Sequence, residues 1–154
     1  WWGPGVLTAS GGPDRSAIAG IVFSDEVERK RLESLIHPLI AAQRVSMIQS
    51  VESQPAVKAI VLDSPLLIES KLDRLCDAII FVHASEAQRL ERVTRNRGWG
   101  KEEFYRRENQ QLSLEQKRAR AHYIIENTGT RESLRKSVQV VLNRILADAS
   151  THRP

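Results

Sequence analysis

Several things are scarce or missing in this chain, and each absence removes a class of protein. There is one cysteine, Cys76, in 154 residues. No internal disulfide can form, and a reducing, cytoplasmic setting is expected. No apolar run approaches the roughly 20 residues that cross a bilayer, so no membrane partner is expected. The four histidines, His37, His83, His122 and His152, have no metal-ligand spacing, and no metal-binding residue is assigned. Internal repeats and low-complexity stretches are absent, as is a signal-peptide core before Gly11. The one methionine is Met47, and the chain opens Trp1-Trp2-Gly3-Pro4. This opening predicts a fragment whose true beginning is missing.

What is present reads as a soluble domain. Hydrophobic residues make up 41% and charged residues 27%, and the length suffices for one domain with a real core. The net charge of +4 is uneven. Residues 89–120 hold ten Lys/Arg against five Glu, a local +5 that leaves −1 for the remainder. One segment therefore wants an anion, either a phosphate-bearing small molecule or a nucleic acid.

The stretch Lys58–Glu69 anchors the reading. Ala59–Leu62 is a short apolar run ending in Asp63, the pattern of a strand buried on both faces of a parallel sheet. Pro65 stops it. Upstream, Asp14 is placed to cap a short helix carrying Ile18, Ile21 and Val22. Ser24 is expected to cap a second helix, with Val27, Leu35 and Ile36 inward. His37-Pro38 predicts a break, and a third helix would bury Ile40, Met47, Ile48 and Val51.

Downstream, a helical piece covers Leu72 and Leu75, and Asp77–Val82 reads as a second strand. Ser85 starts a helix bearing Ala87, Leu90 and Val93, interrupted by Gly98 and Gly100. Lys101–Gln111 and Leu112–Ala121 follow as helices, the first charged with few core residues. Tyr123–Asn127 is a third strand with a turn at Thr128-Gly129. Thr130 caps a last helix whose stripe is Leu134, Val138, Val141, Leu142 and Ile145. The tail Ser150–Pro154 is expected to be loose. Strands alternating with helices predict an α/β fold with a parallel sheet.

Short motifs in order along the chain carry a resemblance. They are Asp14-Arg15 with Ile21-Val22-Phe23, Leu32-Glu33 with His37-Pro38, and Pro65-Leu66-Leu67 with Glu69. Arg107 with Gln111, Lys117 with Ala121, and Ile125, Asn127 and Gly129 complete the series. In this ordered set the chain resembles the dephospho-coenzyme A kinases, P-loop kinases of the nucleoside-monophosphate-kinase type, over residues 1 to 146. The resemblance implies a three-layer P-loop kinase with a parallel sheet, here without its N-terminal strands and phosphate-binding loop. No G-x-x-x-x-G-K-[ST] occurs in the chain. The family's usual acid after Ala121 is His122 here, and the arginine spacing at Arg92–Arg97 is off by one residue.

Within that resemblance the chain forms a single partial kinase domain. Residues 14–52 form a substrate-side helical unit, 59–84 and 123–146 the core, and 89–120 a closing lid. The implied activity is ATP-dependent phosphorylation of the 3′-hydroxyl of dephospho-coenzyme A, with Mg2+ as cofactor. The 154 residues alone are expected to be inactive, and a monomer is expected. Arginine grips phosphate oxygens in pairs, so Arg97 and Arg107 are the candidate catalytic residues. Arg92, Arg95, Asn127 and Gly129 are candidates on the ATP side, with the choice between Arg95 and Arg97 for the phosphate open. His37, Pro65, Leu66 and Glu69 are placed at the substrate, His37 also as a packing or capping residue at its helix junction.

Two other readings stand beside this one. Glu102, Glu103 and Glu108 could pair with neighbouring bases at helical spacing and leave a solvated charged surface. Another P-loop small-molecule kinase, or a basic helical module stacking nucleic acid on Trp99, Phe104 and Tyr105, are the functional alternatives.

Overall fold

A computed structural model describes residues 1–151. It divides into two compact units, Trp1–Val57 and Lys58–Pro154. Of the tail expected to be loose, Ser150 and Thr151 belong to the last helix. Residues 152–154 lie outside the described residues.

The first unit is helical. Helix α1 (Arg15–Ser24) begins where its cap predicts: the Asp14 carboxylate accepts the amides of Ser16 at 2.9 Å and Ala17 at 3.1 Å. Helix α2 (Glu26–Glu52) departs from expectation twice. Its cap is Asp25, which accepts from Val27 at 2.7 Å and Glu28 at 3.2 Å. A carboxylate is the stronger acceptor and suits the positive end of the helix. Ser24 instead closes α1, its hydroxyl donating to the carbonyls of Gly20 and Ile21.

The expected break at His37-Pro38 is also absent, for Pro38 lies inside α2. An interior proline forfeits one hydrogen bond and crowds one carbonyl, at a cost of about 3 kcal/mol. Good helix formers on both sides outweigh that cost, helped by Lys30–Glu26 at 2.9 Å and Arg29–Glu33 at 3.8 Å. His37 is consequently an exposed mid-helix residue rather than a junction. Ile36, Ile48 and Val51 are half-buried, whereas Val27, Leu35, Ile40 and Met47 are exposed. The ten-residue α1 packs against the 27-residue α2 but is too short to cover its length.

The second unit carries a parallel pair, β1 (Ile80–His83) and β2 (Tyr123–Glu126), in register from Ile80–Tyr123 to His83–Glu126. The ladder is fastened at its start. Ile79 accepts the His122 and Tyr123 amides, and its own amide donates to His122 Nδ1 at 2.9 Å. The expected strand at Ala59–Leu62 is not formed: the segment is irregular and has no ladder, because no described strand lies beside it. The strand expected at Asp77–Val82 starts three residues later, where β2 can pair with it.

Between β1 and β2 run α3 (Glu86–Arg97), α4 (Lys101–Glu108) and α5 (Leu114–Ala119). Ser85 and Gln88 form a reciprocal capping box on α3, and Ser113 and Gln116 do the same on α5. Gly98, at φ 69°, ends α3 in the left-handed region that glycine adopts without strain. Thr130 Oγ1 accepts the Ser133 amide at 3.1 Å and opens α6 (Arg131–Thr151). The buried apolar residues are Ile68, Ala84, Phe104, Ile125 and Val141, all of this unit.

The α3 cap provides a direct test of local stability. In the whole protein, Ser85→Ala should lower unfolding free energy by about 1 kcal/mol, read as a lower denaturant midpoint at unchanged slope. No change would mean that the box contributes nothing to this unit.

Candidate active site

The turn that follows Ala59–Ser64 folds back on itself, with Ser70 Oγ donating to the Leu66 carbonyl at 2.6 Å. It lines a hollow of about 300 Å³ with residues 79–82, Gln111 and Lys117. Pro65 and Glu69 lie in that lining, whereas Leu66 is exposed.

Glu69 is the most connected group there. Its Oε1 accepts the Leu112 amide at 2.9 Å and faces Lys117 Nζ at 3.0 Å. Lys117 Nζ also donates to the Pro65 carbonyl at 2.8 Å and Gln111 Oε1 at 2.7 Å. Three acceptors thus meet the three donors of one ammonium. Burial pushes the Glu69 carboxyl up, but its own amide, the Leu112 amide and Lys117 outweigh that and hold it below the ordinary range. The second oxygen, Oε2, is buried without a hydrogen-bond partner.

The basic segment sorts into distinct roles. Arg89 ties helices together: Nε and Nη2 reach Glu108 Oε1 at 3.1 and 2.8 Å, Nη1 donates to the Ala84 carbonyl at 2.7 Å, and the group lies over Phe104. Arg92 donates to the Asn127 carbonyl at 2.9 Å, bringing two of the expected ATP-side residues together. The turn beyond is held by Gln88 Nε2 on the Thr128 carbonyl at 2.9 Å. Gly129 is not in the left-handed region. It is needed for space instead, since a Cβ there would sit 2.7 Å from Ser133 Oγ.

Arg95 pairs with Glu91 one turn back on exposed α3. Arg97 and Arg107 go elsewhere, to a shared ring. Their guanidinium carbons lie 5.1 and 4.3 Å from the Trp99 centroid, within cation–π range. Arg107 Nε also donates to Glu103 Oε1 at 2.5 Å, and Arg106 to Glu103 Oε2. The expected helical-spacing pairs therefore exist for Glu103, while Glu108 pairs across helices. His37 lies in the other unit. Two elements of the constellation escaped sequence reasoning. Lys117 and Gln111, known from the sequence only as motif residues, meet each other, and Lys117 meets Glu69 across more than 40 residues, which no local spacing signals. Trp99 had signalled only stacking.

Comparison with known proteins decides the family. The family model for dephospho-CoA kinase matches residues 1–133. The chain belongs to the dephospho-CoA kinase family. The dephospho-CoA kinase of Geobacillus kaustophilus is 35% identical over 145 residues, covering 93% of this chain and 71% of that protein. The Thermobifida fusca enzyme is 38% identical over 133 residues, 86% of this chain and 65% of its own length. Among solved structures, TT1252 of Thermus thermophilus matches with TM-score 0.71 and 33% identity, over 90% of this chain and 70% of that one. The Campylobacter jejuni dephospho-CoA kinase matches at TM-score 0.66 and 25% identity, over 94% and 71% respectively. These matches establish the α/β kinase fold with its parallel sheet.

Proposed function

We propose that the whole protein transfers the γ-phosphoryl group of ATP to the ribose 3′-hydroxyl of dephospho-coenzyme A, giving coenzyme A and ADP. Family membership supports the reaction. The observation that carries this chain's part in it is the pairing of Arg97 and Arg107 on Trp99. Phosphoryl transfer is catalysed mainly by positioning and by charge placed where negative charge develops. Two guanidinium groups held at one ring form a compact cationic clamp suited to the β- and γ-phosphates.

The break at 98–100 between α3 and α4 gives the clamp a hinge at which to close as a lid. Arg95, engaged with Glu91, takes the lesser part, and Arg97 is the phosphate-facing member of that pair. Arg92 holds the Asn127–Gly129 turn, whose backbone approaches the adenine. Pro65 and Leu66 shape the acceptor side, with Glu69 fixing the turn that carries them.

Magnesium, when bound, would supply positive charge to offset the negative charge of the phosphates. Among the described residues no group of three His, Cys, Asp or Glu side chains comes together, and no step is routed through the metal. The ring contacts of the basic segment speak against the nucleic-acid alternative. Phe104 is buried, Tyr105 donates to Glu86 at 2.5 Å, and Trp99 lies against two arginines.

The experiment is a coupled assay of ADP release by the whole protein with ATP, magnesium and dephospho-coenzyme A. Turnover that depends on dephospho-coenzyme A is expected. A folded protein with no turnover above the acceptor-free control would refute the assignment.

A further inference from the structure

One cation of the basic segment, Lys117, is held by a set of acceptors rather than presented at the surface. Lys117 is only 14% exposed at its side chain, and all three of its N–H donors have acceptors: the Pro65 carbonyl, Gln111 Oε1 and Glu69 Oε1. Those acceptors are not scattered. Pro65 and Glu69 bracket the turn that follows Ala59–Ser64. Gln111 and Leu112, the latter held by Glu69 Oε1 through its amide, lie in the strap that connects α4 to α5. The strap begins one residue after Glu108, and Arg107 is the residue before that.

We infer that Glu69 and Lys117 form a latch that fixes the return end of the α4 arm to the Pro65–Glu69 turn, and that both are positioning residues acting through Arg107. The inference rests on the kinase reading above. Its physical basis is leverage. Helix α4 is eight residues long, and its entry is the glycine-flanked break at 98–100. With the exit pinned to the turn, the swing of α4 is confined to an arc about that point. Release the exit, and the Arg107 guanidinium loses its set distance from the phosphates. A misplacement of about 1 Å can cost about 100-fold in rate.

The arrangement also explains why the cation is lysine. A compact ammonium with three rotatable donors can meet three acceptors from three directions, which the planar fork of arginine cannot. Glu69 uses one oxygen for both of its partners, so the strap amide and the ammonium are coupled through a single atom.

The test uses the whole protein and the variants Lys117→Met, Glu69→Gln, their double, and Lys117→Met combined with Arg107→Ala. Each single latch variant should lower kcat about 10- to 100-fold while KM for ATP stays within about threefold. The latch double should cost no more than the worse single, because both remove one device. Adding Lys117→Met to Arg107→Ala should cost almost nothing further. Hydrogen exchange at residues 109–113 should quicken in Lys117→Met, a readout that needs no turnover. Wild-type inactivity with faster strap exchange in the variant would sink the kinase reading and leave the latch standing. Unchanged exchange, or losses from Lys117→Met and Arg107→Ala that simply multiply, would overturn the latch. Lys117→Arg should not restore the rate, and full restoration would also count against it.

Discussion

Arg107→Ala in the whole protein should lower kcat and kcat/KM together by about 100-fold or more, while dephospho-coenzyme A binding changes little. Loss of one preorganised donor to developing charge typically costs on the order of 100- to 1000-fold. An interaction made only in the transition state reduces both kinetic constants equally. The geometry gives Arg107 the means to be such a donor. Trp99 lies 4.3 Å from its guanidinium carbon, and Glu103 takes its Nε at 2.5 Å. The ring contact and the carboxylate bond fix the orientation of the fork, so its charge is preorganised rather than recruited from a mobile side chain. Arg135→Ala, on exposed α6, is the control and should leave turnover within about twofold. If both variants lose equally little, Arg107 is a surface charge with no part in the transfer.

How much of this was legible in the sequence depended on range. Signals confined to one turn were faithful. Asp14, Ser85 and Thr130 sit where their chemistry demands. Gly98 ends α3 because only the left-handed region reverses the chain there. Misreadings came where two local signals competed. Ser24 and Asp25 are adjacent capping candidates, and the carboxylate wins. Pro38 is a breaker surrounded by strong helix formers, and the run absorbs it.

Strand identity proved less local still. Ala59–Leu62 has strand composition but forms no ladder, because a strand is defined by its neighbour and none lies beside it among the described residues. The site divided likewise. Charge density picked out the segment in which Arg97 and Arg107 meet Trp99, and the ordered motifs picked out Glu69. That Glu69 serves Lys117 and Leu112 depends on contacts across 43 or more residues. That Arg97 and Arg107 converge while Arg95 turns away depends on where a single tryptophan ring lies.

The 154 residues on their own should show no kinase turnover and no sharp monomeric melt. The activity half follows from composition. No G-x-x-x-x-G-K-[ST] occurs among them, so the backbone cradle and loop lysine that hold β- and γ-phosphates are lacking, and a clamp of arginines has nothing to close upon. The stability half follows from the core. No side chain among the described residues is fully buried, and Ile60, Val61, Ile80 and Val82 are between 42% and 84% exposed. Strand β1 has β2 on one side only. An open edge lined with apolar side chains is a template for other copies of the chain. A domain is stable by only about 5–15 kcal/mol, and each fully buried Val or Ile contributes about 1.5–3 kcal/mol relative to an exposed one. Four such residues left in water remove a comparable sum. Circular dichroism should therefore give a broad transition, and size exclusion should show self-association that grows with concentration. A steep, reversible, concentration-independent melt at monomer size would show that β1, β2 and the helices on them form a sufficient core without further pairing at the Ile79–Val82 edge.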